Sequence, residues 1–438
     1  MTIPGGVAAA PTIHPTMAPL NPDFVDYMKK KTSGIQVQSV TRDGHPLGGL
    51  VPPPFILPES NTKRVKAATT PATTPATPLP ATYDLRALGR VTPIRDQGNC
   101  GVCWDFAVFA SLESCLMPGE PMDFSENNLK NLSGFDRGCC DSGTENIAMA
   151  YFARWAGPVN ESDDPYNISN CTSPFGLPVQ KHVQQVIKLP YRTDPLDNDA
   201  LKQAVMDYGA VASSMRYDDS CYNYATFSYY YSGESQSNHG ISIVGWDDNY
   251  PATKFLSRPP GDGAFIVRNT WGADWGQSGY FYMSYYDTLL GSYGNRVFLA
   301  EPADNYDHIY QYDELGWTFT VAFDSTNTAW FANAFTATSS DLLAAVSFYT
   351  VYPNTAYEIY AYLDPVSGPI NPAGPAARKI GTLADRGYNT VRFDTPAPLA
   401  IGQKFSVVVK LTADNQNNQA YMPVENSWPP GYASAATA

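Results

Sequence analysis

The sequence predicts an α+β protein in which a two-lobed domain of helices and strands precedes an all-β sandwich. Helical patterns concentrate in the first half of the chain, short β-branched and aromatic runs follow, and helical signals vanish after about residue 305. Helices followed by strands indicate an α lobe and a β lobe. At 438 residues the chain is long enough for two or three domains. We therefore divide it into residues 1–82, 83–300 and 301–438.

Residues 1–82 form a Pro- and Thr-rich leader. The low-complexity run from Ala68 to Pro80 predicts a polyproline-like linker. A helix is predicted at Pro22–Lys31, because Asp23 lies in its first turn and lysines lie in its last, as the helix dipole favours. Two hypotheses remain open for this segment: a disordered tail, or a leader that covers an active site until it is cleaved.

The remaining elements follow from local periodicity and from Gly and Pro stops. Three helices are predicted, at Asp105–Met117, Glu145–Trp155 and Asp197–Tyr208. Strands are predicted at Ile241–Trp246, Gly263–Arg268 and Gly279–Ser284. About eight short strands after residue 305 fit a β-sandwich, among them Ala345–Val351, Tyr357–Leu363, Asn389–Phe393 and Lys404–Lys410.

Composition argues against several functions. The net charge of −14 argues against nucleic acid as a partner, because phosphates would be repelled. The sequence has no run of eighteen apolar residues, so no transmembrane segment is expected. One Cys-x-x-Cys pair without a second pair at ligand spacing gives no reason to expect a metal, and no organic cofactor is expected. Seven cysteines suggest one free nucleophile and six residues available for pairing.

Four residues in three motifs suggest nucleophilic chemistry. Cys103 is predicted to begin a helix whose positive end lowers the pKa of a thiol. His239, at the start of an apolar strand, is placed to accept the proton. Asn269 can accept the imidazole N–H and orient the ring. The Gln97 amide and the backbone N–H of Cys103 could together bind an oxyanion.

The motifs Gln97-Gly-Asn-Cys-Gly-Val-Cys-Trp104, Ser237-Asn-His-Gly240 and Asn269-Thr-Trp-Gly272 together resemble the papain family of cysteine peptidases. His239 follows Cys103 by 136 residues (239 − 103), and Asn269 follows it by 166 (269 − 103). The family pattern places both partners about 130–150 residues downstream, so the asparagine is slightly late. The resemblance covers roughly residues 83–286 and implies a helical lobe and a β-barrel-like lobe with a cleft between them.

The resemblance also implies structural and substrate-binding roles. Cys100 is expected to pair with Cys140, while the pairing of Cys115, Cys139, Cys171 and Cys221 stays open. Gly143 is expected to pair with the backbone of an extended peptide. The side-chain pocket is expected near Ala212, and Trp271 is expected to shield the hydrogen bond between His239 and Asn269.

Two residues depart from the family pattern. Val102 replaces the usual small serine, and Asp105 replaces an alanine two positions after the nucleophile. A carboxylate at a helix start usually stabilises the helix. As a charge near the thiol, Asp105 could instead raise the thiol pKa and slow an enzyme.

The C-terminal segment resembles the lectin-like domain attached to a prokaryotic branch of papain-type peptidases. The runs Asn305–Asp313, Thr328–Asn333 and Gly402–Lys410 carry that resemblance. Either this domain only packs on the catalytic lobes, or it binds glycans with Trp317 or Trp330 stacked on a sugar ring.

These observations favour a cysteine endopeptidase acting on protein or peptide substrates, made as a zymogen if the leader covers the active site. The alternatives are a catalytically silenced adhesion or glycan-binding protein, and an acyltransferase using the same residues. The N-terminal residues lack a charged region and an apolar core, so they are not a signal peptide as written. Either a signal was removed or the protein stays inside the cell, and of the two we expect a secreted or cell-envelope protein.

Overall fold

The computed structural model of the protein describes residues 15–35, 38–57, 78–366, 368–414 and 418–436. Residues 68–77 of the predicted linker therefore lie outside the described residues. Five α-helices occur in the described ranges: α1 (Pro22–Thr32), α2 (Cys103–Leu116), α3 (Glu126–Leu132), α4 (Glu145–Ala153) and α5 (Asp199–Tyr208). None of the described helices has the length and apolarity needed to cross a bilayer.

Strands outnumber helices among the described residues. The strands up to residue 302 are β1 (Thr16–Met17), β2 (Ser39–Val40), β3 (Pro46–Leu47), β4 (Thr82–Asp84), β5 (Lys181–Lys188), β6 (Val211–Met215), β7 (Tyr222–Asn223), β8 (Ser228–Tyr229), β9 (His239–Asp247), β10 (Ala264–Arg268), β11 (Tyr280–Ser284) and β12 (Arg296–Pro302). Those after it are β13 (Phe319–Phe323), β14 (Thr328–Thr336), β15 (Leu342–Thr350), β16 (Thr355–Leu363), β17 (Ala377–Leu383), β18 (Arg386–Pro398), β19 (Lys404–Thr412) and β20 (Ala420–Val424).

The helical lobe is organised around α2. This helix is apolar on nearly all sides, and its residues from Cys103 to Ser114 are buried, as expected of a helix at the centre of a core. Helices α3 and α4 and strands β9 and β12 pack against it. The core of this lobe joins aromatic residues of α2 and α4, including Phe109 and Phe152.

The second lobe is an open sheet among the described strands rather than a closed barrel. The sheet runs in the order β15-β18-β5-β12-β6-β9-β10-β11-β8-β7, and β4 also pairs with β9. It therefore continues from the second lobe into the C-terminal segment, where β18 pairs with β5 from Arg386↔Lys188 to Asn389↔Gln185. The predicted boundary between residues 300 and 301 falls within β12.

The C-terminal segment is a β-sandwich. Strands β14-β19-β16-β17 form a four-stranded antiparallel sheet. Apolar side chains of this sheet, such as Ile359 and Val409, pack on Phe348 and Phe393 of β15 and β18. Among the described residues, eight strands follow residue 305, in agreement with the roughly eight that the sequence predicts.

The described part of the leader contacts both other segments. Strand β1 adds to the edge of β13, which also pairs with β20. Phe24 of α1 is buried against Tyr432 near the C-terminus. Lys31 donates to the backbone carbonyl of Asp136 in the helical lobe and to that of Gly431 at 2.9 Å. The leader thus joins the peptidase-like lobes and the C-terminal sandwich.

Several elements differ from the sequence prediction. Helix α3 and strands β5 and β12 were not predicted. The helix predicted at Glu145–Trp155 ends at Ala153, because Trp155 takes a positive φ of 55°. The predicted strand Asn389–Phe393 extends to Arg386–Pro398.

The junction of the two sheets can be tested at Gly387. This residue has a φ of 134°, and an added Cβ would overlap the carbonyl oxygen of Val186 across the β18–β5 pairing. Gly402 also has a positive φ, 79°, but nothing lies within 4 Å of its Cβ position. We expect Gly387→Ala to lower the free energy of unfolding by about 3 kcal/mol and Gly402→Ala by about 1 kcal/mol, measured by urea denaturation. Equal losses of stability in the two variants would contradict the close backbone approach at the β18–β5 pairing.

Candidate active site

Cys103 is the first residue of α2 and is almost fully buried. The backbone N–H of Gly240, next to His239 on β9, donates to its sulfur at 3.1 Å. Helix α2 and strand β9 belong to different lobes, so this contact brings the thiol and the imidazole-bearing residue to the same boundary. Cys103 forms no disulfide.

The His239 and Asn269 side chains form a hydrogen bond whose direction the structure determines. Asn269 Oδ1 lies 2.8 Å from the backbone N–H of Thr270, which can only donate, so this atom is the amide oxygen. The same oxygen lies 2.7 Å from His239 Nε2. Nε2 must therefore carry a proton, and in the neutral ring Nδ1 is left as an acceptor. His239 Nδ1 is buried and finds no partner among the described residues.

Gln97 lies on the loop before α2 and is fully buried. Its Nε2 donates to the carbonyl of Cys100 at 2.7 Å, and its Oε1 accepts from the Thr270 hydroxyl. Its backbone N–H also donates to Thr270 O at 2.8 Å. One amide proton is thus used to hold the side chain beside the start of α2. Sequence reasoning did not identify Thr270, which joins Gln97 to the Asn269 segment.

Trp271 and Ala212, to which the sequence analysis assigns roles at the site, both pack close to the proposed catalytic residues. The Trp271 indole stacks on the His239 ring with centroids 4.4 Å apart. Ala212 on β6 is fully buried and belongs to the same apolar cluster as Cys103 and Trp104.

The leader lies directly over the thiol. A Cβ on Gly49 would come within 2.7 Å of Cys103 Sγ, so only a glycine fits there. Gly143 N–H donates to the Gly49 carbonyl at 3.0 Å, and Val51 N–H donates to the Gly143 carbonyl at 2.7 Å. The leader's His45 stacks on Trp271 with centroids 4.9 Å apart. The backbone groups of Gly143 that are expected to pair with a substrate are therefore occupied by the leader.

Two disulfides hold the loop that carries Gly143. Cys100 pairs with Cys140, and Cys139 pairs with Cys171, a bridge the sequence left open. Cys115 and Cys221 are not bridged, so four cysteines pair rather than the six that simple counting suggested. Adjacent cysteines thus tie one short loop both to the residues before α2 and to the segment around residue 171.

Burial shifts the pKa values of both Cys103 and His239. Desolvation raises the pKa of the Cys103 thiol to about 12, although hydrogen bonds from backbone N–H groups oppose it. Desolvation lowers the pKa of His239 to about 4, against the hydrogen bond with Asn269. At neutral pH both groups are uncharged in this leader-bound state.

Comparison with known proteins follows the same division of the chain. Residues 79–294 match the family described as papain family cysteine protease, and residues 309–438 match the lectin like domain. Residues 79–294 thus form a papain-family domain, and a lectin-like domain follows it. Its fold is similar to that of the cysteine protease and lectin-like domains of Cwp84, a surface layer associated protein of Clostridium difficile. That structure has a TM-score of 0.76 at 24% identity, over 98% of this chain and 91% of that one.

Other papain-family proteins are similar over the first half of the chain. A cathepsin L-like peptidase of Aedes aegypti is 29% identical over 212 residues, which is 47% of this chain and 59% of that protein. Cysteine proteinase 15A of Pisum sativum is 31% identical over 225 residues, 47% of this chain and 58% of that protein. The match thus spans less than two thirds of these relatives.

Clostridial Cwp84 after propeptide cleavage, a cysteine-to-alanine variant, has a TM-score of 0.69 at 26% identity, over 80% of this chain and 89% of that one.

Asp105, the departure from the papain-family pattern, does not face the site as a charge. It is fully buried, and neither carboxyl oxygen has a partner among the described residues. Desolvation and then the nearby Glu126 hold its pKa well above the usual range, so the carboxyl favours its neutral form. The described residues also contain no group of three or more His, Cys, Asp or Glu side chains that could hold a metal ion.

Thiol labelling can test the leader-bound state of Cys103. With a pKa of about 12, its thiolate fraction at pH 7 is very small and rises about tenfold per pH unit. We expect iodoacetamide to label the less buried Cys221 faster than Cys103 in the intact chain, as measured by mass spectrometry. Removal of the leader should accelerate the labelling of Cys103 about a hundredfold or more and leave the labelling rate of Cys221 unchanged. Fast labelling of Cys103 in the intact chain would contradict this state.

Proposed function

We propose that the protein is a cysteine endopeptidase made as a zymogen. The observation that carries this proposal is the orientation of His239. Because Asn269 Oδ1 accepts from both Thr270 N and His239 Nε2, the free lone pair of the ring lies on Nδ1. The residue after His239 contacts Cys103 Sγ directly, so a proton acceptor and a thiol share one site.

This arrangement supports hydrolysis by acyl transfer. Cys103 Sγ attacks the scissile carbonyl while its proton moves to His239 Nδ1. The second amide proton of Gln97 and the backbone N–H of Cys103 stabilise the oxyanion. The imidazolium then protonates the leaving amine, which gives a thioester. Water attacks the thioester with His239 again as the base, and the acid product and free thiol are released. Asn269 holds the ring, and Trp271 shields that hydrogen bond.

Latency is supported by the position of the leader. The leader occupies both backbone groups of Gly143, places Gly49 against the sulfur, and buries the catalytic pair in its uncharged state. Clostridial Cwp84 likewise has a form that follows propeptide cleavage. A cut in residues 58–77 would separate the leader from the peptidase lobes without breaking a described element.

The alternative of a catalytically silenced protein depended mainly on a negative charge at Asp105. A buried carboxyl held in its neutral form places no charge beside the thiol, and the pKa of Cys103 is raised mainly by desolvation. This removes the main argument for a catalytically dead domain. Product analysis with an added amine distinguishes an acyltransferase from a hydrolase, because it shows whether the amine or water accepts the acyl group.

The proposed substrates are extended peptides in proteins, paired with Gly143 once the leader leaves. The two disulfides support an oxidising compartment, so we propose a secreted or cell-envelope location. Cwp84 is a surface layer associated protein, which is consistent with that location.

A digest of a peptide library tests the activity. After removal of the leader we expect cleavage that Cys103→Ala abolishes. Gln97→Ala should lower kcat about a hundredfold, because one oxyanion donor is lost. Asn269→Ala should lower kcat with little change in KM. The exposed Asn249→Ala serves as the matched control and should retain full activity. No cleavage by either form of the protein would instead support the silenced alternative.

The leader contact can be tested at Gly49. A methyl group there would overlap Cys103 Sγ and the Gly101 carbonyl oxygen, so Gly49→Ala should displace this part of the leader. We expect the uncleaved variant to hydrolyse a fluorogenic peptide at least about tenfold faster than the uncleaved wild type. Val40→Ala, at an exposed position in the same leader, should have no effect. Equal basal rates for both variants would argue against inhibition by this contact.

A further inference from the structure

A large cavity lies in the C-terminal sandwich, and Cys103 is not among its lining residues. Its volume is about 840 Å³, which is within the usual range of small-molecule sites. It lies between the edge strand β15, strands β14 and β20, and the segment 305–313. Residues of the helical lobe, among them Trp155, close one end. No step proposed for the peptidase uses this cleft.

One wall of the cleft is aromatic. Phe331, Asn333 and Phe335 alternate along β14 and therefore share one face of that strand. Tyr312 stacks on Phe335 with centroids 4.9 Å apart and rings 12° from parallel. Tyr310 meets Phe405 edge to face. Flat aromatic surfaces of this kind can pack against the apolar C–H faces of sugar rings.

The other groups lining the cleft are polar and acidic. Asp307, Asp313, Asp341 and Glu425 contribute carboxyl groups, and His308 pairs with Asp341 at 3.1 Å. The described lining contains no lysine or arginine. Carboxyl and amide groups can bind hydroxyl and amino groups, whereas an acidic ligand would be repelled.

One deep polar atom lacks a partner. The hydroxyl of Tyr349, on β15, is buried in the wall and finds no hydrogen-bond partner among the described residues. A buried hydroxyl without a partner costs about 1–3 kcal/mol. Because this hydroxyl lies beside Gly316, which does not line the cleft, its removal is expected to leave the ligand-facing surface unaltered.

We propose that this cleft binds a short neutral or amino-substituted oligosaccharide. Stacked aromatic rings together with carboxyl and amide acceptors fit such a ligand better than an apolar or acidic one. The lectin-like match of residues 309–438 agrees with the ligand class but does not locate the site.

The two tryptophans suggested by the sequence lie elsewhere. Trp317 is half-buried and donates to Thr320 Oγ1 at 2.9 Å, outside the cleft. Trp330 is 54% exposed on the opposite face of β14, where Lys410 lies 5.4 Å from its ring centroid. Trp330 therefore provides a matched control on the same strand as Asn333.

Calorimetric titration of the full chain, with Cys103→Ala to prevent self-digestion, tests the proposal. The probes are triacetylchitotriose, the glucosamine trimer and trigalacturonic acid. We expect saturable binding of one or both of the first two and none of the third. Asn333→Ala should weaken binding about tenfold, while Trp330→Ala and Tyr349→Phe, which removes only a hydroxyl buried beside Gly316, should not.

Several results would overturn the proposal. These are the absence of saturable binding to the first two probes, preferential binding of trigalacturonic acid, and loss of binding only in Trp330→Ala. Tyr349→Phe should leave the unliganded protein at least as stable, since it removes an unpartnered polar atom. Because binding is measured without the nucleophile, the result is independent of whether the protein is a peptidase.

Discussion

Burial of one sulfur atom links the three segments of the protein. Cys103 Sγ lies at the start of the central helix, receives a hydrogen bond from β9, and is covered by the leader at Gly49. Desolvation by this burial raises the thiol pKa to about 12, although the hydrogen bond from Gly240 N–H opposes the rise. A thiolate–imidazolium pair requires the opposite condition, namely stabilisation of both charges. In the proposed zymogen, the leader that covers the site therefore also disfavours ionisation of the thiol.

The C-terminal sandwich contributes to this event, although it lies outside the catalytic residues. It pairs with the leader through β13 and packs Tyr432 against Phe24. It also continues the sheet of the second lobe through the β18–β5 pairing. The leader is thus held by two surfaces whose relative position is fixed by a shared sheet. A leader attached to the peptidase lobes alone would lose the strand pairing and the aromatic contact that anchor its N-terminal half.

The sequence was sufficient for elements with strong local signals. Helix α1 begins at the predicted Pro22, and α2 contains the predicted nucleophile at its first position. The short helix α3, Glu126–Leu132, was missed because its sequence is mostly polar, although Ser125 caps it by accepting from Asn128 N–H. Strand β5 was missed because its polar and apolar residues do not alternate regularly. It is stabilised by pairing with β12 and β18, and such distant partners are not visible locally.

In the candidate site, too, contacts between residues distant in sequence could not be predicted. Residue types and order indicated Cys103, His239, Asn269 and Gln97, because the proposed chemistry needs a thiol, a base and amides. The sequence could not show that the Thr270 hydroxyl and backbone join Gln97 to Asn269, since that contact depends on two distant loops meeting. Nor could it decide between a disordered tail and a covering leader, which differ only in the contacts that the leader makes.

Asp105 illustrates how the fold changes the meaning of a residue. In the sequence it is a negative charge two positions from a nucleophile, and such a charge would disfavour the thiolate. In the structure it is fully buried near Glu126, Arg137 and Lys130, and desolvation raises its pKa well above the usual range, which favours the neutral form. The cost of that burial therefore falls on the stability of the helical lobe rather than on the ionisation of Cys103. A substitution that looks like inactivation in sequence is thus compatible with an intact site, because its electrostatic effect depends on its protonation state.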